Sequence, residues 1–336
     1  MALSMAVNVA IARHLVRTRL GNHHHGGRWP MVLMLELTHA CNLRCNGCGR
    51  IREYADSRAL SLSREQAREA VKEADVPVVS ISGGEPFLHP DLPGITQDIL
   101  NMGKAVYVCT NATLLSRRLA EFQPNRRLYL NVHLDGPPSI HDALTNAPGT
   151  TERALEAIRE AKAAGFGVTT NTTLYYDTPV AELAALFQKL VDLGVDGFAL
   201  APAFAYEVGA PARTLTREEA HERFRQLKDV WGDKNVYHTP IFMEFLRGER
   251  ELECMPWGTV TYNPLGWKRP CYLLSDGHAA SLAELLEETD WDRYGHGRDP
   301  RCADCMMHSG FELSVMNSMH GPADLWKIAR WTLMGE

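Results

Sequence analysis

A chain of 336 residues, 45% hydrophobic and 23% charged, is long enough to bury one large core or two smaller ones. Its formal net charge of −6 excludes a nucleic-acid-binding surface as the main function, and no apolar run approaches the roughly 18 residues that span a bilayer. Without a secretory signal the expected setting is reducing and cytoplasmic, where eight cysteines argue for metal binding or catalysis over disulfides.

Residues 1–29 read as a first unit. The stretch "ALSMAVNVAIARHLVRTRL" (2–20) has apolar residues at helical spacing, with Arg13, Arg17 and Arg19 on its C-terminal side, the reverse of a secretory signal. It predicts an amphipathic helix that packs on the domain or rests on the inner face of a membrane. "HHHGG" (23–27) reads as a solvated loop.

Residues 30–212 alternate β-rich runs with helical patterns. The strands are expected at 31–37, 76–82, 105–110, 127–134, 166–174 and 196–204, and several intervening helices end in glycine. Nearly continuous apolar strands alternating with helices imply a parallel sheet covered by helices. The fold class is therefore α/β, a partial (βα)6 TIM-type barrel with a small Cys-rich C-terminal module. In such barrels the chemistry gathers at the C-terminal ends of the strands. The unusual polar segments do fall there: the cysteines Cys41, Cys45 and Cys48, then "SGGEP", "CTNAT", "HLDGP", "TNTT" and "PAFAYE".

Cys41, Cys45 and Cys48 have C-x3-C-x2-C spacing on a loop leaving a strand. Three thiolates so close can converge on one metal or cluster. Zinc would need a fourth ligand, for which only His39 is near; a cluster held by three thiolates leaves one iron open. Asn131, His133 and Asp135 alternate along the fourth strand and so share a face, within reach of a ligand or substrate. Asn171 and Thr173 are similar candidates, as are Tyr206 and Glu207 beyond the sixth strand. Cys109 ends the third strand at the barrel mouth, where a thiol can donate a hydrogen atom to a carbon radical.

Residues 213–336 begin helical (214–248) and become irregular (249–310), rich in Cys, Trp, Pro and Gly. Cys254, Cys271, Cys302 and Cys305 suit a four-thiolate site, a second 4Fe-4S cluster or a structural zinc, that closes a core-poor module.

The cysteine triplet followed by "SGGEP" resembles the radical S-adenosylmethionine (SAM) superfamily. That resemblance implies a 4Fe-4S cluster on Cys41, Cys45 and Cys48 whose open iron chelates SAM, and cleavage of SAM to a 5′-deoxyadenosyl radical. It implies SAM contacts along Ser82, Gly83, Gly84, Glu85 and Pro86, with the glycines admitting the methionine moiety and Glu85 holding its ammonium or bracing the turn. Asn131 and Asn171 are the expected ribose contacts, and a flavodoxin- or ferredoxin-type protein the electron donor. Gly47 departs from the superfamily's aromatic residue before the third cysteine. "CTNATLL", "VHLDG", "CMPWGTVTYNPLGWKRPCYLLSDG" and the "CADC" tail further resemble the adenosylhopane synthase family. That likeness implies radical addition to the terminal alkene of a triterpene, completed by Cys109. It loosens at "LTHA", at "VGAPARTLT" and at Ser309, which stands where that family has a further cysteine. A paralogue acting on an unsaturated nucleotide sugar, as in tunicamycin-type nucleoside antibiotics, follows as the neighbouring expectation. Hydrogen abstraction from a sugar nucleoside, including decarboxylation, follows beside it.

Overall fold

The computed structural model describes residues 5–20, 27–205, 213–315 and 321–334. Among them nine strands form one sheet in the order β6-β5-β4-β3-β2-β1-β7-β8-β9. Strands β1 (Val32–Thr38), β2 (Val78–Gly83), β3 (Ala105–Thr110), β4 (Leu128–His133), β5 (Gly167–Leu174) and β6 (Gly197–Pro202) are all parallel, as the sequence predicts.

The alternation of each strand decides its two faces. On the outside, Leu33, Leu35, Val79, Ile81, Val106, Val108, Leu130 and Val168 are completely buried. They lie beneath helices that follow the strands: Arg64–Ala74, Leu92–Asn101, Thr150–Ala163 and Val180–Asp192. The first of these shows the local logic. Ser63 and Gln66 form a capping box at its start, Ala67, Ala70, Val71 and Ala74 make its buried stripe, and Asp75 ends it in the left-handed conformation. On the inside the register places Ser80 beside Tyr107, Tyr107 beside Tyr129, and Cys109 beside Asn131. The lumen is thus polar and aromatic while the outer layer is aliphatic.

The segment 249–310, read as irregular, departs from expectation. It supplies β7 (Thr259–Asn263), parallel to β1, and then β8 (Gly266–Lys268) and β9 (His278–Ala279) in an antiparallel meander. These strands are only five, three and two residues long, too short for a local period to announce them. Pairing with β1 is what makes them.

The N-terminal helix Met5–Leu20 packs on the domain at the N-terminal side of the strands. Val7 is fully buried, His14 Nε2 bonds the Pro30 carbonyl at 3.1 Å, and Arg17 pairs with Asp75 at 2.6 Å. Among the described residues no helix is long and apolar enough to cross a membrane. The histidine run 23–25 lies outside the described residues.

Candidate functional site

The chain leaves β1 at Thr38 and turns through the three cysteines. Ala40 N donates to Thr38 Oγ1 at 3.1 Å and Leu43 N to Cys41 Sγ at 3.4 Å. Arg58 donates to the Cys41 carbonyl at 3.2 Å and Arg52 to the Cys48 carbonyl at 2.9 Å, so two guanidinium groups brace the loop. All three thiols are free and partly exposed. Burial and then the neighbouring thiols push Cys45 up to about 12, and burial pushes Cys41 up to about 11. Thiolates crowded this way need a cationic partner. Among the described residues no three His, Cys, Asp or Glu side chains close tightly enough to hold a single ion. A cluster, whose thiolates sit on separate irons, asks for a wider set than one zinc. His39, the spare zinc ligand considered from sequence, instead stacks on Tyr54, ring centroids 3.6 Å apart, and bonds Ser57 at 2.9 Å.

"SGGEP" is laid directly on this loop. Gly84 N donates to the Thr38 carbonyl at 2.7 Å and Glu85 N to the Ala40 carbonyl at 2.8 Å. A Cβ on Gly83 would meet the Thr38 carbonyl at 2.4 Å, and one on Gly84 the Ala40 carbonyl at 1.9 Å. Both glycines are therefore required by backbone-to-backbone contact, whatever ligand the loop receives. Glu85 is 1% exposed and wholly engaged. It accepts from Phe87 N at 3.0 Å, Thr110 Oγ1 at 2.8 Å and Asn111 N at 2.8 Å. Of the two roles open to it in sequence, bracing the turn is the one its bonds fulfil. Pro86 is buried and opens the turn Pro86–Leu88.

Cys109 lies in the lumen. Its Sγ is 3.3 Å from Ser80 Oγ and 3.4 Å from Asn131 Nδ2, while Asn131 Oδ1 accepts from Thr169 Oγ1 at 3.1 Å. Asn131, expected at the ribose, thus spends both ends of its amide on Cys109 and Thr169. Burial raises the Cys109 pKa and keeps it a thiol. His133 Nε2 and Asp135 Oδ2 pair at 2.7 Å, and Asp135 Oδ1 accepts from Thr173 N at 2.8 Å. Burial alone would raise Asp135 and lower His133; their mutual attraction overrides it, leaving Asp135 low and His133 high. Tyr206 and Glu207 fall outside the described residues.

Two buried polar atoms on the lumen's rim lack a partner, Ser82 Oγ and Asn171 Oδ1. Unmet hydrogen-bonding capacity beside three free thiols fits a polar ligand such as SAM. Sequence reasoning missed Ser80, which contacts Cys109, and Thr169, which holds Asn131; their parity with Ser82 and Asn171 was the available signal. It also missed Tyr175, past β5. A side chain at Gly47 would lie 3.2 Å from the Tyr175 hydroxyl, so an aromatic ring does stand beside the residue before the third cysteine, supplied from the loop after β5.

A second cysteine site opens as a small pocket lined by Cys254, Cys271, Cys302 and Cys305, with Phe204 from beyond β6 on its wall. Cys254 is pushed up by burial and then by the other three thiols, and burial pushes Cys305 up to about 12. A Cβ on Gly310 would come 2.6 Å from Cys254 Sγ, so the glycine leaves that sulfur its room. Four converging thiols and such a cradle fit a metal–sulfur group. Trp267 and Trp291 are buried in the same module, so it also has an apolar core of its own.

A family model described as the radical SAM superfamily matches residues 35–190, and one described as a domain of unknown function (DUF3463) matches residues 198–328. Among curated relatives, the antilisterial bacteriocin subtilosin biosynthesis protein AlbA of Bacillus subtilis is 26% identical over 78% of this chain and 58% of its own. GTP 3′,8-cyclase of Aquifex aeolicus is 33% identical over 47% of this chain and 53% of its own. The chain thus spans little more than half the length of these relatives. Among solved structures, Streptococcus suis SuiB bound to precursor peptide SuiA superposes with a TM-score of 0.68 at 13% identity, over 88% of this chain and 73% of that one. At that identity the likeness concerns the fold.

Proposed function

We propose that this chain, whose residues 35–190 match the radical SAM superfamily, with its 4Fe-4S cluster and SAM, uses Cys109 to give a hydrogen atom to a substrate-centred radical. When bound at Cys41, Cys45 and Cys48, the cluster supplies the electron that splits SAM into methionine and a 5′-deoxyadenosyl radical. The observation that carries the reading is the placement of Cys109, a neutral, partly exposed thiol held at the lumen by Ser80 and Asn131. Glu85 and the two glycines fix the wall on which SAM sits, and Ser82 and Asn171 offer it unspent polar atoms. His133, held by Asp135, faces the same space.

The substrate radical arises by addition of the adenosyl carbon to a C=C bond, the reading that the adenosylhopane-synthase-like motifs favour. The S–H bond of Cys109 then breaks homolytically and a C–H bond forms. One electron and one proton, the electron from a flavodoxin- or ferredoxin-type donor, return the sulfur to the thiol. An alkene lipid and an unsaturated nucleotide sugar are the two substrate classes of this reading. For the lipid, the outward Val9 and Val16 of the N-terminal helix would serve peripheral membrane contact.

A second reading rests on a different observation. AlbA is a bacteriocin biosynthesis protein, and SuiB is seen with a precursor peptide, so a peptide substrate modified after hydrogen abstraction is the alternative. Product analysis separates the two. Adenosine carried into the product supports addition, while free 5′-deoxyadenosine with an unadenylated product supports abstraction. Cys109→Ala is expected to keep SAM consumption within about threefold while abolishing the reduced product; unchanged product would remove Cys109 from the reaction.

A further inference from the structure

Behind Cys48 the short helix Gly49–Glu53 turns its charges inward. Arg50 Nε pairs with Glu36 Oε1 at 3.0 Å, and Arg50 Nη1 with Glu53 Oε2 at 2.9 Å. Arg50 Nη2 donates to the Tyr272 carbonyl at 2.6 Å. Lys268 Nζ donates to the same carbonyl at 2.9 Å and also pairs with Glu53. Glu36 accepts in addition from the Tyr54 hydroxyl at 2.7 Å.

The four charged side chains are sealed from solvent: Glu36 is 1% exposed, Lys268 0%, Glu53 12% and Arg50 13%. Two cations meet two carboxylates, so the block is neutral as a whole. It is not neutral in parts. A buried pair of this kind adds little net stability, yet the shift of one partner leaves a charge uncompensated. Such a block holds its elements in one register.

Those elements are the ones that carry both cysteine sites. Glu36 stands in β1 before Cys41, and Arg50 follows Cys48. Tyr272 follows Cys271 directly, with its carbonyl clamped by two cations. One guanidinium therefore runs from the backbone behind the first site to the backbone behind the second.

We propose that Arg50 is a positioning residue that couples the two sites, so that what occupies Cys254, Cys271, Cys302 and Cys305 sets how tightly SAM is held at the first. This rests on reading both cysteine sets as iron–sulfur sites. Occupation of the second set fixes Cys271 and hence the Tyr272 carbonyl. The carbonyl orients Arg50, and Arg50 orients the helix that ends the cysteine loop. Coupling of this kind is reciprocal, so SAM bound at the first site must also act on the second.

The test uses the full chain, loaded anaerobically with iron and sulfide, and reads electron paramagnetic resonance of the reduced protein. In the wild type, adding SAM should change the signals of both sites; a second signal indifferent to SAM overturns the proposal. Emptying the second site (Cys302→Ser with Cys305→Ser) should weaken SAM binding, titrated through the first signal, by about fivefold or more. Arg50→Gln should weaken it similarly, and the combined variant no further than either alone. Effects that multiply, or SAM affinity within twofold of wild type in the emptied variant, overturn it. A first site that loads and cleaves SAM in every variant while showing no coupling defeats the coupling alone. A wild-type chain that binds no iron at Cys41, Cys45 and Cys48 defeats the underlying reading and the coupling together.

Discussion

At the scale of single residues, two sites show how little freedom the chemistry leaves. Gly84 sits with its α-carbon against the Ala40 carbonyl, a backbone atom that no rotamer change can move. Gly84→Ala is expected to cost about 3 kcal/mol or more, and to prevent the cysteine loop from seating. Denaturant unfolding and the iron retained after reconstitution would read both effects. The His133–Asp135 pair makes a pH-dependent contribution. A raised His133 pKa means that the folded state holds the proton more tightly than the unfolded chain does. That stabilisation is complete below the ordinary histidine value of about 6.5 and is lost as pH rises through the higher folded value. Asp135, held low, contributes above the ordinary value of about 3.9 and loses its contribution as pH falls through its lower folded one. The window is therefore about pH 4 to 6.5, extending upward with His133. His133→Asn should lower Tm more at about pH 5.5 than at about pH 8.5; equal losses at both would mean that the pair carries no charge. Asn131 and Glu85 teach the same lesson from the other side. Asn131 was expected at a ligand and Glu85 either at a ligand or bracing the turn, and the bonds of both are internal.

At the scale of elements, the second cysteine site depends on a turn more than on a strand. Cys302 and Cys305 are tied by the Cys305 N to Cys302 carbonyl bond at 3.1 Å, and the Gly310 carbonyl accepts from Met255 N at 2.9 Å, beside Cys254. Gly310→Ala pushes a methyl group against Cys254 Sγ. We expect that variant, reconstituted anaerobically, to hold about half the iron of the fully loaded chain. Full loading would show that the pocket can yield. The strands β7 and β8 serve this site indirectly, since they carry the chain toward Cys271 and place Lys268 in the core. Their lengths hid them in the sequence. The six longer strands and the helices after them were legible because a parallel sheet needs apolar strands, and three of those helices stop at Gly103, Gly165 and Gly194.

At the scale of the whole molecule, the N-terminal helix closes the end of the sheet opposite the cysteines. With Val7 buried and Arg17 on Asp75, deleting Met5–Leu20 should destabilise the fold by about 2 kcal/mol, measured by thermal unfolding, even if association with liposomes is unchanged. The open polar lumen, the two cysteine sites and the charged block between them arise only when elements far apart in the chain come together. The sequence by itself determined the parallel barrel, the spacing of the first three cysteines and the motifs that resemble the radical SAM superfamily. Spacing of thiols, strand parity and helix caps are local properties, and local chemistry writes them in residue order. Only the tertiary structure decided that the glycines of "SGGEP" answer to backbone contact, that Tyr175 stands beside Gly47, that Asn131 serves Cys109, and that Arg50 reaches from one cysteine site to the other. Those are contacts between residues tens to hundreds of positions apart, and no period in a single chain encodes which distant neighbour a side chain will meet.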